Sequence, residues 1–183
     1  MGDLSHDADV ADERPRPPRS VRFTPDAIGE RLEGFIYGTI VVLAVVIAGA
    51  KAYPDDAGRI AVLAGVSSLV LWVAHVYAHA MADSVAHDRS LTAAELRYIA
   101  RREGSMLEAA LPPIAALLLG AFGIVSTEVA VWLAIGFGLV VLAVQGITFA
   151  HLERMSWFGT LLVVAANVGL GVVLVGLKLL LTH

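Results

Sequence analysis

IAVLAGVSSLVLWVAHVYAHAMADSVAH, residues 60–87, begins as an unbroken apolar run and ends as a ladder of ionisable groups. About 20 apolar residues cross the roughly 30 Å of hydrocarbon in a bilayer, so residues 60–82 read as a membrane span. His75, His79, Asp83 and His87 follow one another at steps of four. Four residues are about 400° of helix rotation, which sets these groups nearly in line on one helix face. At about 1.5 Å per residue His75 lies about 22 Å into the span, with Asp83 and His87 at or beyond the surface.

Four further stretches have the same apolar character, at 35–52, 109–125, 129–150 and 157–181. The expected fold is therefore all-α and polytopic, with five transmembrane helices. The 109–125 stretch is the shortest and contains Pro112-Pro113, a pair that suits a first turn better than a helix centre. Residues 83–108 form a polar linker in which Thr92 to Glu95 reads as a capping box and Leu96, Ile99 and Ala100 give one apolar face. An amphipathic helix lying against the membrane surface is expected there. Residues 1–23 mix Asp, Arg and Pro with little that is apolar and read as a disordered tail, after which Thr24-Pro25 resembles an N-cap and first helical position. Residues 24–183 make up the membrane domain.

Composition agrees with this reading. Of 183 residues 57% are hydrophobic and 16% charged, against about 45–50% and about 25% in soluble domains. Mean hydropathy is +0.75. There is no cysteine, which excludes a disulfide scaffold and leaves His, Asp, Glu, Asn, Met or backbone oxygen as donors for any metal. The net charge of −4 excludes a basic nucleic-acid-binding surface. With the N-terminus in the cytoplasm, Arg14, Arg16, Arg19, Arg22, Arg31, Arg89, Arg97, Arg101, Arg102 and Arg154 fall inside, and only Lys51, Arg59 and Lys178 outside. The positive-inside rule therefore predicts an inner (plasma) membrane protein with a cytoplasmic N-terminus and, after five spans, an extracytoplasmic C-terminus.

Ionisable groups within a span are costly and mark function. Two imidazoles at i and i+4 can chelate one transition-metal ion, and a carboxylate one turn on adds a harder ligand. Polar groups from other helices fall at the same depth: Glu33 and Tyr37, Glu108, Gln145, His151 and Asn167. Together they predict a cytoplasm-facing vestibule. Plainer roles stand beside this one. Histidines at an interface can face headgroups, Gln145 and Asn167 can hydrogen-bond between helices, and Glu33 and Glu108 suit helix starts. Gly34-x-x-x-Gly38, with Gly169, Gly171 and Gly176, reads as close helix packing and suits a homodimer. The tryptophans carry no assigned chemistry.

Three segments resemble the vacuolar iron transporter family: RLEGFIYGTIVVLAVVIAGA at 31–50, EAALPPIAALLLG at 108–120, and the Trp-containing linker and Gly-rich helix of 151–181. The resemblance implies five spans and export of Fe²⁺ or Mn²⁺ from the cytoplasm against protons. Where that family carries Asp-Gly the chain has Tyr37-Gly38, and Met81 is the one methionine near the His ladder. Its linker is rich in Glu, whereas residues 83–108 hold Glu95, Glu103 and Glu108. A second, weaker resemblance is to bacterial and lysosomal potassium channels with an Arg-x-x-x-Phe-Ser-Asp signature, carried by Arg31-Leu-Glu-Gly-Phe35 and Trp72-x-x-His75.

The expected function is thus proton-coupled transport of a divalent metal. His75, His79, Asp83 and Glu108 are the expected metal residues, and Glu33, Tyr37, His87, Gln145, His151 and Asn167 the expected pathway or proton-coupling residues. A proton or monovalent-cation channel, a b-type haem protein ligated by His75 and His151, and a structural membrane subunit are the alternatives. No nucleophile–base pair or organic-cofactor fingerprint suggests an enzyme.

Overall fold

A computed structural model describes residues 25–87 and 92–181. The tail, Thr24, and the side chain of His87 lie outside the described residues. The chain forms α1 (Pro25–Ala52), α2 (Ala57–His87), α3 (Ala93–Arg102), α4 (Ser105–Ala121), α5 (Thr127–Leu152) and α6 (Trp157–Leu181), with no strand among the described residues. The all-helical expectation holds. Three of these, α1 from Arg31, α2 and α5, are long and apolar enough to cross a membrane, and α3 with α4 makes a fourth if the bent pair is one span.

The central element is α1, which packs against α2, α4, α5 and α6. Its inward stripe of Leu32, Thr39, Val42, Leu43, Val46 and Ile47 is buried, and Leu43 and Val46 are fully enclosed. That stripe repeats at three and four residues, the spacing that keeps one helix face turned to its neighbours. The hydroxyls at this level are satisfied by their own helices: Thr39 Oγ1 donates to the Phe35 carbonyl at 2.7 Å and Ser68 Oγ to Ala64 at 2.8 Å.

Glycines set how closely the helices approach. A Cβ on Gly38 would come within 2.9 Å of the Met106 backbone, and one on Gly34 would land on Ser105 Oγ. The Gly34-x-x-x-Gly38 face is therefore occupied by the start of α4 within the chain, not held open for a second copy. Leu43 fills the notch at Gly138, and Leu139 the notch at Gly171, whereas a Cβ on Gly169 or Gly176 would meet nothing within 4 Å among the described residues.

The middle of the chain departs from the sequence expectation. The apolar stretch expected from residue 109 begins at Ser105, and Pro112 and Pro113 sit eight and nine residues into α4 instead of in its first turn. Pro113 is buried against the neighbouring helices, so packing holds a segment that local propensity would break. The linker divides, with α2 running on to His87 and α3 starting at the expected capping box. Glu95 N–H donates to Thr92 Oγ1 at 3.3 Å, and Thr92 N–H donates to Glu95 Oε2 at 2.8 Å. Only Glu103 and Gly104 separate α3 from α4, and the two axes meet at 44°. The apolar side of α3 is divided: Ile99 is buried where the helix packs on α2, Ala100 is half-buried, and Leu96 stays exposed.

Candidate functional site

One face of α2 runs inward through Ala57, Ala61, Ala64 and Ser68, all buried, and continues through half-buried Trp72, His75 and His79. The alternating steps of three and four residues show that the two imidazoles occupy the core-facing stripe of the helix. The opposite face, with Val62, Val66, Val73, Tyr77, Met81 and Val85, is exposed.

Both rings are tethered in the same way. His75 Nδ1 lies 3.3 Å from the Leu71 carbonyl, and His79 Nδ1 lies 3.1 Å from the His75 carbonyl. A carbonyl only accepts, so these contacts put the proton on Nδ1 and leave the lone pair on Nε2. The ring centroids are 6.3 Å apart, and Tyr37 of α1 lies over His75 at a centroid distance of 5.3 Å. Tyr37 itself is exposed on its other side.

A carboxylate that the sequence pattern did not single out completes this group. Glu103, at the α3–α4 elbow, is buried, with Oε1 3.7 Å from His79 Nδ1 and 3.3 Å from Arg102 Nε. A buried carboxylate is tolerated only with such partners. What holds the elbow in place is Trp72, whose Nε1–H donates to the Ala100 carbonyl at 3.0 Å. Ala100 lies in the last turn of α3, where carbonyls have no partner within the helix. The indole therefore both satisfies the helix end and ties α3 to α2. Trp72→Phe keeps the ring and loses the donor, leaving that carbonyl short of a partner at a cost of about 1–3 kcal/mol. Amide hydrogen exchange across residues 96–102 is expected to quicken at least about tenfold in Trp72→Phe, while that of α5 stays unchanged. Exchange unchanged at α3 would show that the tie is not made.

The other expected site residues are dispersed. Glu108 faces Arg31, whose Nη2 donates to Oε2 at 3.0 Å, in an exposed pair that closes the α1–α4 mouth instead of joining the imidazoles. Glu33 and Tyr37 line a groove of about 380 Å³ with Leu32, Ile36, Ile40 and Phe149. It is a shallow, largely apolar surface where a polar vestibule was expected. Asp83 is exposed one turn beyond His79. Asn167 packs over Gly146, its Nδ2 3.1 Å from where a Cβ would stand, and among the described residues it makes no hydrogen bond to half-buried Gln145. His151 is exposed at the end of α5, a helix that touches α2 only slightly, so His75 and His151 are not brought face to face. Among the described residues no three His, Asp or Glu side chains close around a metal-sized point.

The signal that could have found Glu103 is its place directly before Gly104, at a helix-to-helix elbow one residue after an arginine. Its burial, however, comes from the docking of α3, which no local pattern reports. Against known protein families, characterised proteins and solved structures the chain finds no match.

Proposed function

We propose that the protein is an integral membrane carrier for a divalent transition-metal ion, Fe²⁺ or Mn²⁺, exchanged against protons. The observation that supports this reading is the matched pair of imidazoles on the inward face of α2. Each is oriented by a main-chain carbonyl on Nδ1 and keeps Nε2 free, beside the buried carboxylate of Glu103. Metal-ligating histidines commonly donate their second nitrogen to a carbonyl or carboxylate, which fixes ring orientation and raises basicity. A metal and a proton compete for the same Nε2 lone pair, so metal binding there is linked to proton concentration.

In this reading His75 and His79 are the ion contacts, Glu103 and Asp83 balance the incoming charge, and Glu33, Tyr37 and Glu108 lie at the mouth. All five apolar helices (α1, α2, α4, α5, α6) cross the membrane, with the N-terminus and α3 in the cytoplasm and the C-terminus outside. A second copy would cover the open Gly169 and Gly176 of α6 in a homodimer. The string Tyr37–His75–His79–Glu103 favours a second reading, a proton or monovalent-cation path through the same residues.

Flux into proteoliposomes decides between them. With a metal-quenched dye and a pH dye inside, wild-type protein is expected to move Mn²⁺ or Fe²⁺ with protons in the opposite direction. Proton or potassium currents without metal entry would replace the carrier reading by the channel reading. A red preparation with a Soret band would replace both by haem binding.

A further inference from the structure

At the end of the bundle away from the histidines, the first turn of α2 holds an arginine in a fixed pose. Asp56 caps that helix: its Oδ1 accepts from Arg59 N–H at 2.9 Å, and its Oδ2 takes Arg59 Nε at 3.0 Å. The guanidinium carbon stands 5.5 Å from the centroid of the Tyr53 ring. With Nε on a carboxylate and the plane over an aromatic ring, the conformational freedom of a long side chain is largely removed before any ligand arrives. The terminal nitrogens of Arg59 have no other partner among the described residues, and the side chain is 69% exposed.

Beside this arginine opens a groove of about 560 Å³, which Tyr53 and Arg59 head and Val62, Leu63 and Val66 continue. Val62 and Val66 are one helical turn apart and both exposed, so the apolar part runs along α2 toward the middle of the bundle. The apolar stretch of α1 ends at Ala52 and that of α2 begins at Ala57, which places Tyr53 and Arg59 at the height where headgroups meet hydrocarbon.

We propose that this groove is a binding site for one membrane phospholipid, its phosphate on Arg59 and one acyl chain along Val62, Leu63 and Val66. The charge complementarity is specific to a tailed phosphate. The planar guanidinium fork matches two phosphate oxygens. A free phosphate would gain that pairing yet face the carboxylate of Asp56 with no apolar contact to offset it. An uncharged lipid would fill the valine channel and leave the oriented fork without an acceptor.

The test is native mass spectrometry of the full chain, delipidated in detergent and titrated with dioleoyl phosphatidylglycerol. One lipid per chain is expected to bind more tightly than any later one. Arg59→Gln is expected to weaken that first binding at least tenfold, and Val66→Trp, which fills the channel, by a similar factor. Val85→Trp, also at an exposed valine but at the far end of α2, is expected to leave it unchanged. Dioleoylglycerol, with the same chains and no phosphate, is expected to bind at least tenfold more weakly, and glycerol phosphate not to compete. Wild-type binding by Arg59→Gln, or equal binding of dioleoylglycerol, would overturn the phosphate assignment. Indifference to Val66→Trp, with helicity retained in both variants, would overturn the groove.

Discussion

Gly38→Ala is expected to lower the thermal midpoint of the purified protein by about 2–12 °C. The estimate follows from an overpacking cost of about 1–3 kcal/mol and the usual conversion of about 2–4 °C per kcal/mol for a chain of this size. The new methyl would meet the Met106 Cα and carbonyl oxygen, each 2.9 Å away, and backbone cannot rotate aside. Gly34→Ala, one turn earlier, meets a side chain instead, Ser105 Oγ, behind which Ser105 Cβ stands at 3.4 Å. Removing the hydroxyl leaves ordinary contact. Gly34→Ala/Ser105→Ala is therefore expected to recover most of the stability lost in Gly34→Ala alone, while Ser105→Ala does nothing for Gly38→Ala. Ser105 Oγ is buried and has no hydrogen-bond partner among the described residues, so its loss carries little penalty of its own. Differential scanning fluorimetry of the five proteins checks this, and equal melting of Gly34→Ala with and without Ser105→Ala would contradict the α1–α4 crossing.

In the flux assay, His75→Ala and His79→Ala are each expected to reduce the initial rate of Mn²⁺ entry by about a hundredfold. Glu103→Gln is expected to cost about 10–100-fold, the range typical of groups that orient a ligand without contacting the metal. Glu103→Gln keeps the side chain's volume and its ability to accept from Arg102, so a loss of flux at unchanged thermal midpoint isolates the charge. Glu108→Gln is expected to change the rate less than threefold, because its oxygen is taken by Arg31 in an exposed pair worth about 0–1 kcal/mol. The contrast between two glutamates five residues apart is the sharpest part of the prediction. Equal losses at both, or at neither, would remove the imidazole–Glu103 group from the transport path.

That contrast also marks where sequence reasoning reached its limit. The helical character of α1, α2, α5 and α6 is written in long apolar runs, and the ladder step of four by itself sets His75 and His79 on one face. Which face that was, and what stood opposite it, depended on how neighbouring helices are rotated. Glycine notches set that rotation: Gly34 and Gly38 bring Ser105 and Met106 onto α1, which turns Glu108 outward to Arg31. The same crossing leaves Glu103 pointing back to α2. Glu103 reads in the sequence as one more charge in a polar linker, because its burial comes from the docking of α3 on α2, which the Trp72 indole ties in place. Pro112 and Pro113 misled in the opposite sense, since their local preference for a first turn yields to packing at Pro113.

Those two prolines bear on biosynthesis. With 17 residues, α4 is about 26 Å long, shorter than the hydrocarbon it would traverse, and Glu108 opens it. Pro112 and Pro113 offer no N–H to the carbonyls of Glu108 and Ala109, which a translocating segment would carry unpaired into lipid. Taken by itself α4 is a poor stop signal for the insertion machinery. Its partner is made first, however, because the glycine notch of α1 precedes it in the chain and receives its opening turn. In the proposed five-span arrangement, integration of α4 would draw on α1 and α2, which precede it in the chain and supply the glycine notch that receives its opening turn.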